Sequence, residues 1–143
     1  MAKKLTLKEE LFPNSKDNIN TTPKKHEEGD IQKGCVEWFR MQYPKIAKLL
    51  FAVPNGAKRT KIQGKNLKRE GMVAGVADLI LLVSSKGHNS LCLEMKNGKK
   101  GRQEQNQKEW QEVAEKYGNK YVILRSFDEF RNEINDYLEG IKL

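Results

Sequence analysis

Apolar side chains recur along this chain at two periods, one helical and one alternating or continuous. From residue 30 the segment DIQKGCVEWFRMQY places Ile31, Cys35, Trp38, Phe39 and Gln42 along one helical side, with Asp30 as N-cap and Pro44 ending the helix. KLLFAVP then predicts a short strand running into the turn-forming Pro54-Asn55-Gly56. DLILLV, residues 78 to 83, is apolar almost throughout, as expected for a strand covered on both faces. SSKGHNS is a turn into a second strand, SLCLEMK, so the two should form a hairpin. QEQNQKEWQEVAEKYG sets Gln107, Trp110, Ala114 and Tyr117 at helical spacing and stops at Gly118. KYVILRS predicts another strand, and Ser126-Phe127-Asp128-Glu129 matches a capping box opening a last helix with Phe130, Ile134, Tyr137 and Leu138 inward. The order is helix, strand, basic segment, strand, strand, helix, strand, helix, which implies an α/β class with helices on a small mixed sheet.

Composition narrows the setting. The chain has 143 residues, enough for one domain with a real core, and residues 25 to 143 are expected to form it. Residues 1 to 24 mix charge, Asn, Thr and Pro without periodicity and read as a flexible N-terminal arm. The formal charge of +8 favours a polyanionic partner. No apolar run approaches the roughly 20 residues of a membrane span, and MAKKLTLKEELF lacks an apolar stretch of signal-peptide length, so an intracellular protein without a membrane partner is expected. Cys35 and Cys92 sit in apolar patterns, as buried reduced thiols do, and two histidines without a Cys/His cluster argue against structural zinc. Residues 57 to 71, AKRTKIQGKNLKREG, are rich in Lys and Arg with Glu70 as their sole acid, so this segment must face solvent or an anion.

The chemistry concentrates in LCLEMKNGKKG. Neighbours two apart on a strand share a face, so Glu94 and Lys96 point the same way. If the hairpin pairs in its obvious register, Asp78 comes near them. Two like charges about 4 Å apart repel by roughly 4 kcal/mol at an effective dielectric near 20, so paired acids need a counter-charge. A divalent cation on two carboxylates and a backbone carbonyl would supply it, with Lys96 holding or activating the attacking water or stabilising the charge on an attacked phosphate. The competing reading is a strand-end ion pair worth about 0–1 kcal/mol beside a turn aspartate. Lys58, Arg59, Lys61, Lys68 and Arg69, with Lys99, Lys100 and Arg102 past the strand, are candidate phosphate contacts; the plainer alternative is a solvated surface. Trp38, Phe39, Trp110 and Tyr117 fall at packing positions and are not read as base-stacking platforms.

An Asp, fifteen intervening residues, then Glu-x-Lys resembles the PD-(D/E)XK nucleases, and VPNGAKR, LKREGMVAGVADLILL, LCLEMKNGKKGR and NQKEW, in that order, resemble the virus-type replication-repair nuclease (VRR-NUC) family over about residues 26 to 139. The resemblance implies a restriction-endonuclease-like core of helix, three strands, helix and strand, followed by a C-terminal helix. It implies Mg²⁺, with Mn²⁺ as substitute, on Asp78, Glu94 and the Met95 main-chain carbonyl, and Lys96 as catalytic lysine. A glutamate with a glutamine four positions on is matched by Glu28 and Gln32, with Glu37 as the alternative acid, and a later helical glutamine by Gln107. The family proline before the aspartate is replaced by Ala77. The implied activity is a metal-dependent DNA endonuclease in replication, repair or recombination. Its implied substrate is branched DNA, with Holliday-junction resolution by a homodimer as the specific case, in the cytoplasm of a bacterial or phage-infected cell. No small-molecule substrate is implied. The readings kept beside it are a non-catalytic nucleic-acid-binding module and an interaction protein of a replication or repair complex.

Overall fold

In the computed structural model, residues 28–54, 60–98 and 101–143 are described; the expected arm over residues 1–24 and the candidates Lys58, Arg59, Lys99 and Lys100 lie outside them. Helix α1 spans Glu28–Gln42 and is followed by a 3₁₀ turn, Pro44–Leu49, and strand β1, Leu50–Ala52. The basic segment is a helix, α2 (Lys61–Arg69), opened by a capping box in which Thr60 Oγ1 accepts from the Gln63 N–H and Gln63 Oε1 accepts from the Thr60 N–H. Strands β2 (Leu79–Leu81) and β3 (Leu91–Met95), helix α3 (Gln105–Lys116), strand β4 (Lys120–Leu124) and helix α4 (Phe127–Leu138) complete the elements of the described residues. The four strands form one sheet in the order β1-β2-β3-β4, antiparallel between the first three and parallel between β3 and β4. This is the expected small mixed sheet flanked by helices, and α3 supplies the crossover that a parallel pair requires.

The hairpin between β2 and β3 is closed by Lys86 and Gly87, both at positive φ (49° and 80°), with Ser85 and His88 bridged beside them. Successive positive φ values give the turn a twist matching that of the strands, and they fix the register Leu79↔Leu93 and Leu81↔Leu91. Strand β3 is buried at every position. On one sheet face Leu79, Leu81, Leu91, Leu93 and Met95 pack with Cys35 and Phe39 of α1 and Phe130, Ile134, Tyr137 and Leu138 of α4. On the other, Ala77, Cys92 and Tyr121 pack with Trp110 of α3. The cysteines therefore lie on opposite sides of the sheet, where burial raises both thiol pKa values, that of Cys35 to about 11. Among the described residues no helix is long and apolar enough to cross a membrane.

Four local expectations change. Helix α1 begins before Asp30, which sits in its first turn and pairs with Lys33, because an acid is stabilised anywhere in a helix's first turn. Gln42 is exposed, since α1 ends there and the chain turns away through the 3₁₀ segment. DLILLV is not covered on both faces along its length: Trp110 of α3 packs against Ala77, Cys92 and Tyr121, while Ile80 is half-buried, Leu82 is 54% exposed and Phe51 on the neighbouring β1 is 40% exposed. Tyr117 is 68% exposed at the end of α3, one turn past Ala114, where no strand remains beneath it. Phe39 is fully buried and Trp38 makes edge-on contacts to Tyr43, Phe127 and Phe130, so these rings do pack.

Candidate active site

Asp78 immediately precedes β2, and its carbonyl accepts from the Val53 N–H at 2.9 Å. One step beyond the Leu79↔Leu93 pair it falls opposite Glu94, on the sheet face that α3 covers. Its Oδ2 accepts from the Met95 N–H at 2.8 Å. Glu94 itself is 1% exposed. Its Oε1 accepts from Gln107 Nε2 at 2.6 Å and lies 3.2 Å from Lys96 Nζ. Lys96, whose side chain is 11% exposed, also donates to Gln107 Oε1 at 2.9 Å.

Gln107 is the joint of this constellation. It is the third residue of α3, and its Oε1 also accepts from the Glu104 N–H at 2.9 Å, the backbone half of a capping box. With an ammonium and an N–H on one end of the amide and a carboxylate on the other, only one orientation satisfies all three partners. The helix cap and the contact to Glu94 and Lys96 therefore depend on the same side chain.

Burial has electrostatic consequences. Desolvation raises the Asp78 carboxyl pKa, opposed by the Met95 N–H bond and then by the charge of Lys96. The Tyr121 hydroxyl is pushed above its usual range, first by burial and then by the charge of Glu94; Gln103 Nε2 donates to it at 3.3 Å and to Gln111 Oε1 at 2.7 Å. Two carboxylates against one ammonium leave the group with a net negative charge.

Among the described residues no three or more His, Cys, Asp or Glu side chains gather closely enough to hold a metal. The donors on hand are the carboxylates of Asp78 and Glu94 and the main-chain carbonyl of Met95. Such an all-oxygen set, in which Asp78 lines the open cleft and Glu94 is buried behind it, would suit Mg²⁺, which keeps several waters, better than zinc. Bound there, a divalent ion would turn the net negative charge positive, as an anionic substrate needs.

The open space is a cleft of about 250 Å³ between α2 and the start of α3, lined by Gly64, Lys68, Met72, Ala74, Gly75, Asp78, Glu104, Asn106 and Gln107. Gly75, at φ 84°, shapes its floor: a Cβ there would lie 2.3 Å from the Asn106 carbonyl oxygen. Only a glycine lets the loop before Asp78 press against the first turn of α3. Past β3, Arg125 Nη1 donates to the Gly98 and Gly101 carbonyls at 2.6 and 2.8 Å, clasping the turn that follows Lys96.

The structure thus brings together Asp78, Glu94, Lys96 and Gln107, with Lys68 on the cleft wall. Lys61, Arg69 and Arg102 are exposed. Glu28 opens α1, while Gln32 and Glu37 line a separate groove on that helix with Lys33 and Arg40. Gly75, Gln103, Tyr121 and Arg125 were not among the sequence candidates. For Gly75 a signal existed, a glycine three residues before the key acid, which often marks close backbone approach. The partners of Arg125 lie 24 and 27 residues away, and no local pattern announces them.

No protein-family model matches the sequence, and no curated protein does either. A solved structure described as a VRR_NUC domain protein matches the fold with a TM-score of 0.69 and 23% identity, over 78% of this chain and 88% of that one. The chain therefore has the fold of a VRR_NUC domain protein.

Proposed function

We propose that this chain is a divalent-metal-dependent DNA endonuclease that hydrolyses phosphodiester bonds, with residues 25 to 143 as one nuclease domain. The observation that carries the reading is the bonded group of Glu94, Lys96 and Gln107 with Asp78 opposite, at the edge of a cleft walled by basic α2, on a fold shared with a VRR_NUC domain protein. In this proposal Asp78, Glu94 and the Met95 carbonyl hold Mg²⁺ or Mn²⁺. The bound ion supplies Lewis-acid polarisation of the phosphate and a water of lowered pKa. Lys96, held by Glu94 and Gln107, presents an ammonium where charge grows on the phosphoryl oxygens. Gln107 orients that ammonium, and Lys68 neutralises the incoming backbone. Branched DNA is the proposed preferred substrate, with four-way junctions cut by a homodimer as its specific form, in the cytoplasm of a bacterial or phage-infected cell.

The test is to incubate the protein with linear duplex, flap and four-way junction DNA in Mg²⁺, Mn²⁺ or EDTA. Wild type should cut with either metal and not in EDTA. Asp78→Asn and Lys96→Ala should lose cutting while still binding. Binding to every substrate with no cutting of any would overturn the enzyme reading and leave the second one, a DNA-binding module without turnover. The specific support for that second reading is that, among the described residues, no three His, Cys, Asp or Glu side chains gather closely enough to hold a metal.

A further inference from the structure

Helix α2 has no buried residue, yet it carries a glycine in its interior, where glycine is less favourable than any ordinary residue but proline. The backbone does not require Gly64: its φ is not in the left-handed region, and a Cβ there would meet nothing within 4 Å. Packing and conformation therefore leave the choice unexplained, in contrast to Gly75, which lines the same cleft. What Gly64 does is line that cleft together with Lys68, facing Asp78 and Gln107. At roughly 100° per residue, Lys61 and Lys65 fall within about 60° of Lys68 around the helix, so the three lysines form one arc beside Gly64, beginning with Lys68 on the cleft wall and ending with Lys65 about 100° from Gly64. All three are exposed.

We infer that this side of α2 is a phosphate rail, in which Lys61, Lys65 and Lys68 grip successive backbone phosphates and Gly64 is a notch left bare so that the nucleic-acid backbone can approach the helix and reach Asp78. The inference rests on the proposed DNA-cleaving function and assigns roles there to Gly64 and Lys65. A side chain at 64 would fill the cleft mouth without disturbing the core, and the helix would gain propensity. Notch and stability therefore oppose one another at this position.

The experiment measures duplex-DNA binding by fluorescence anisotropy from 50 to 300 mM salt, with thermal melting alongside, for wild type, Gly64→Ala, Gly64→Met and Lys65→Ala. Both position-64 variants should melt no lower than wild type. Gly64→Ala should bind within about twofold, and Gly64→Met should bind at least about tenfold more weakly. Lys65→Ala should reduce the slope of log affinity against log salt by about one. Wild-type affinity in a stably folded Gly64→Met, or an unchanged slope in Lys65→Ala, would overturn the rail. These readouts need no turnover: a protein that binds as stated but never cuts would defeat the enzyme reading alone, and one that cuts while ignoring both changes would defeat the rail alone.

Discussion

Lys96 Nζ lies 2.9 Å from Gln107 Oε1, tying the strand that bears Glu94 to the first turn of the helix that follows. Because the same oxygen caps α3, the site and the helix start form one structural unit. Replacing Gln107 by Ala removes a charge-assisted bond to each of Glu94 and Lys96 along with the cap. It should cost about 1–3 kcal/mol in urea unfolding. If Glu94 holds the metal as proposed, cleavage should fall about 10–100-fold, the usual effect of removing a group that orients a metal ligand.

Asp78→Asn separates stability from activity. Burial raises the folded carboxyl pKa, so between the ordinary value and the raised one the folded state binds its proton more tightly than the unfolded chain does. Ionised Asp78 thus costs stability above that window, and the cost disappears as pH falls below it. In EDTA the Asn variant should melt higher than wild type at neutral pH, with the gap closing in acid. Adding Mg²⁺ should raise the wild-type melting temperature and leave the variant unmoved, because only a ligand favouring the folded state shifts melting.

Gly75→Ala should be far more damaging than Gly71→Ala. Both have positive φ, but only Gly75 meets backbone atoms, those of Asn106 and Gln107. The strain common to both is worth about 1–3 kcal/mol. The overlap at 75 adds about 1–3 kcal/mol and displaces Gln107. Denaturant midpoints at unchanged m-value, together with cleavage rates, check this.

Arg125→Ala releases the Gly98 and Gly101 carbonyls without removing a proposed phosphate contact. DNA binding should weaken several-fold with the salt slope intact. A slope reduced by about one would instead mean that Arg125 itself grips the backbone.

Most of the elements, and the nearness of Asp78, Glu94 and Lys96, were legible in the chain, though neither the 3₁₀ segment Pro44–Leu49 nor the helical state of the basic segment was. The helical period of Phe130, Ile134, Tyr137 and Leu138 marked the face of α4 that is buried, and the turn before Asn89 set Asp78 against Glu94 by strand register alone. Local hydrophobic period and turn chemistry decide such features, and both are written in neighbouring residues. That Phe51 and Leu82 lie uncovered on the sheet, and Tyr117 at the end of α3, was not legible, because exposure depends on how far the neighbouring element extends. The same holds for the site. Its acids and lysine were visible as types and spacings, but the orientation of Gln107, the close approach at Gly75 and the clasp of Arg125 arise between segments far apart in sequence. Only the packed fold, which fixes those separations to within ångströms, could decide them.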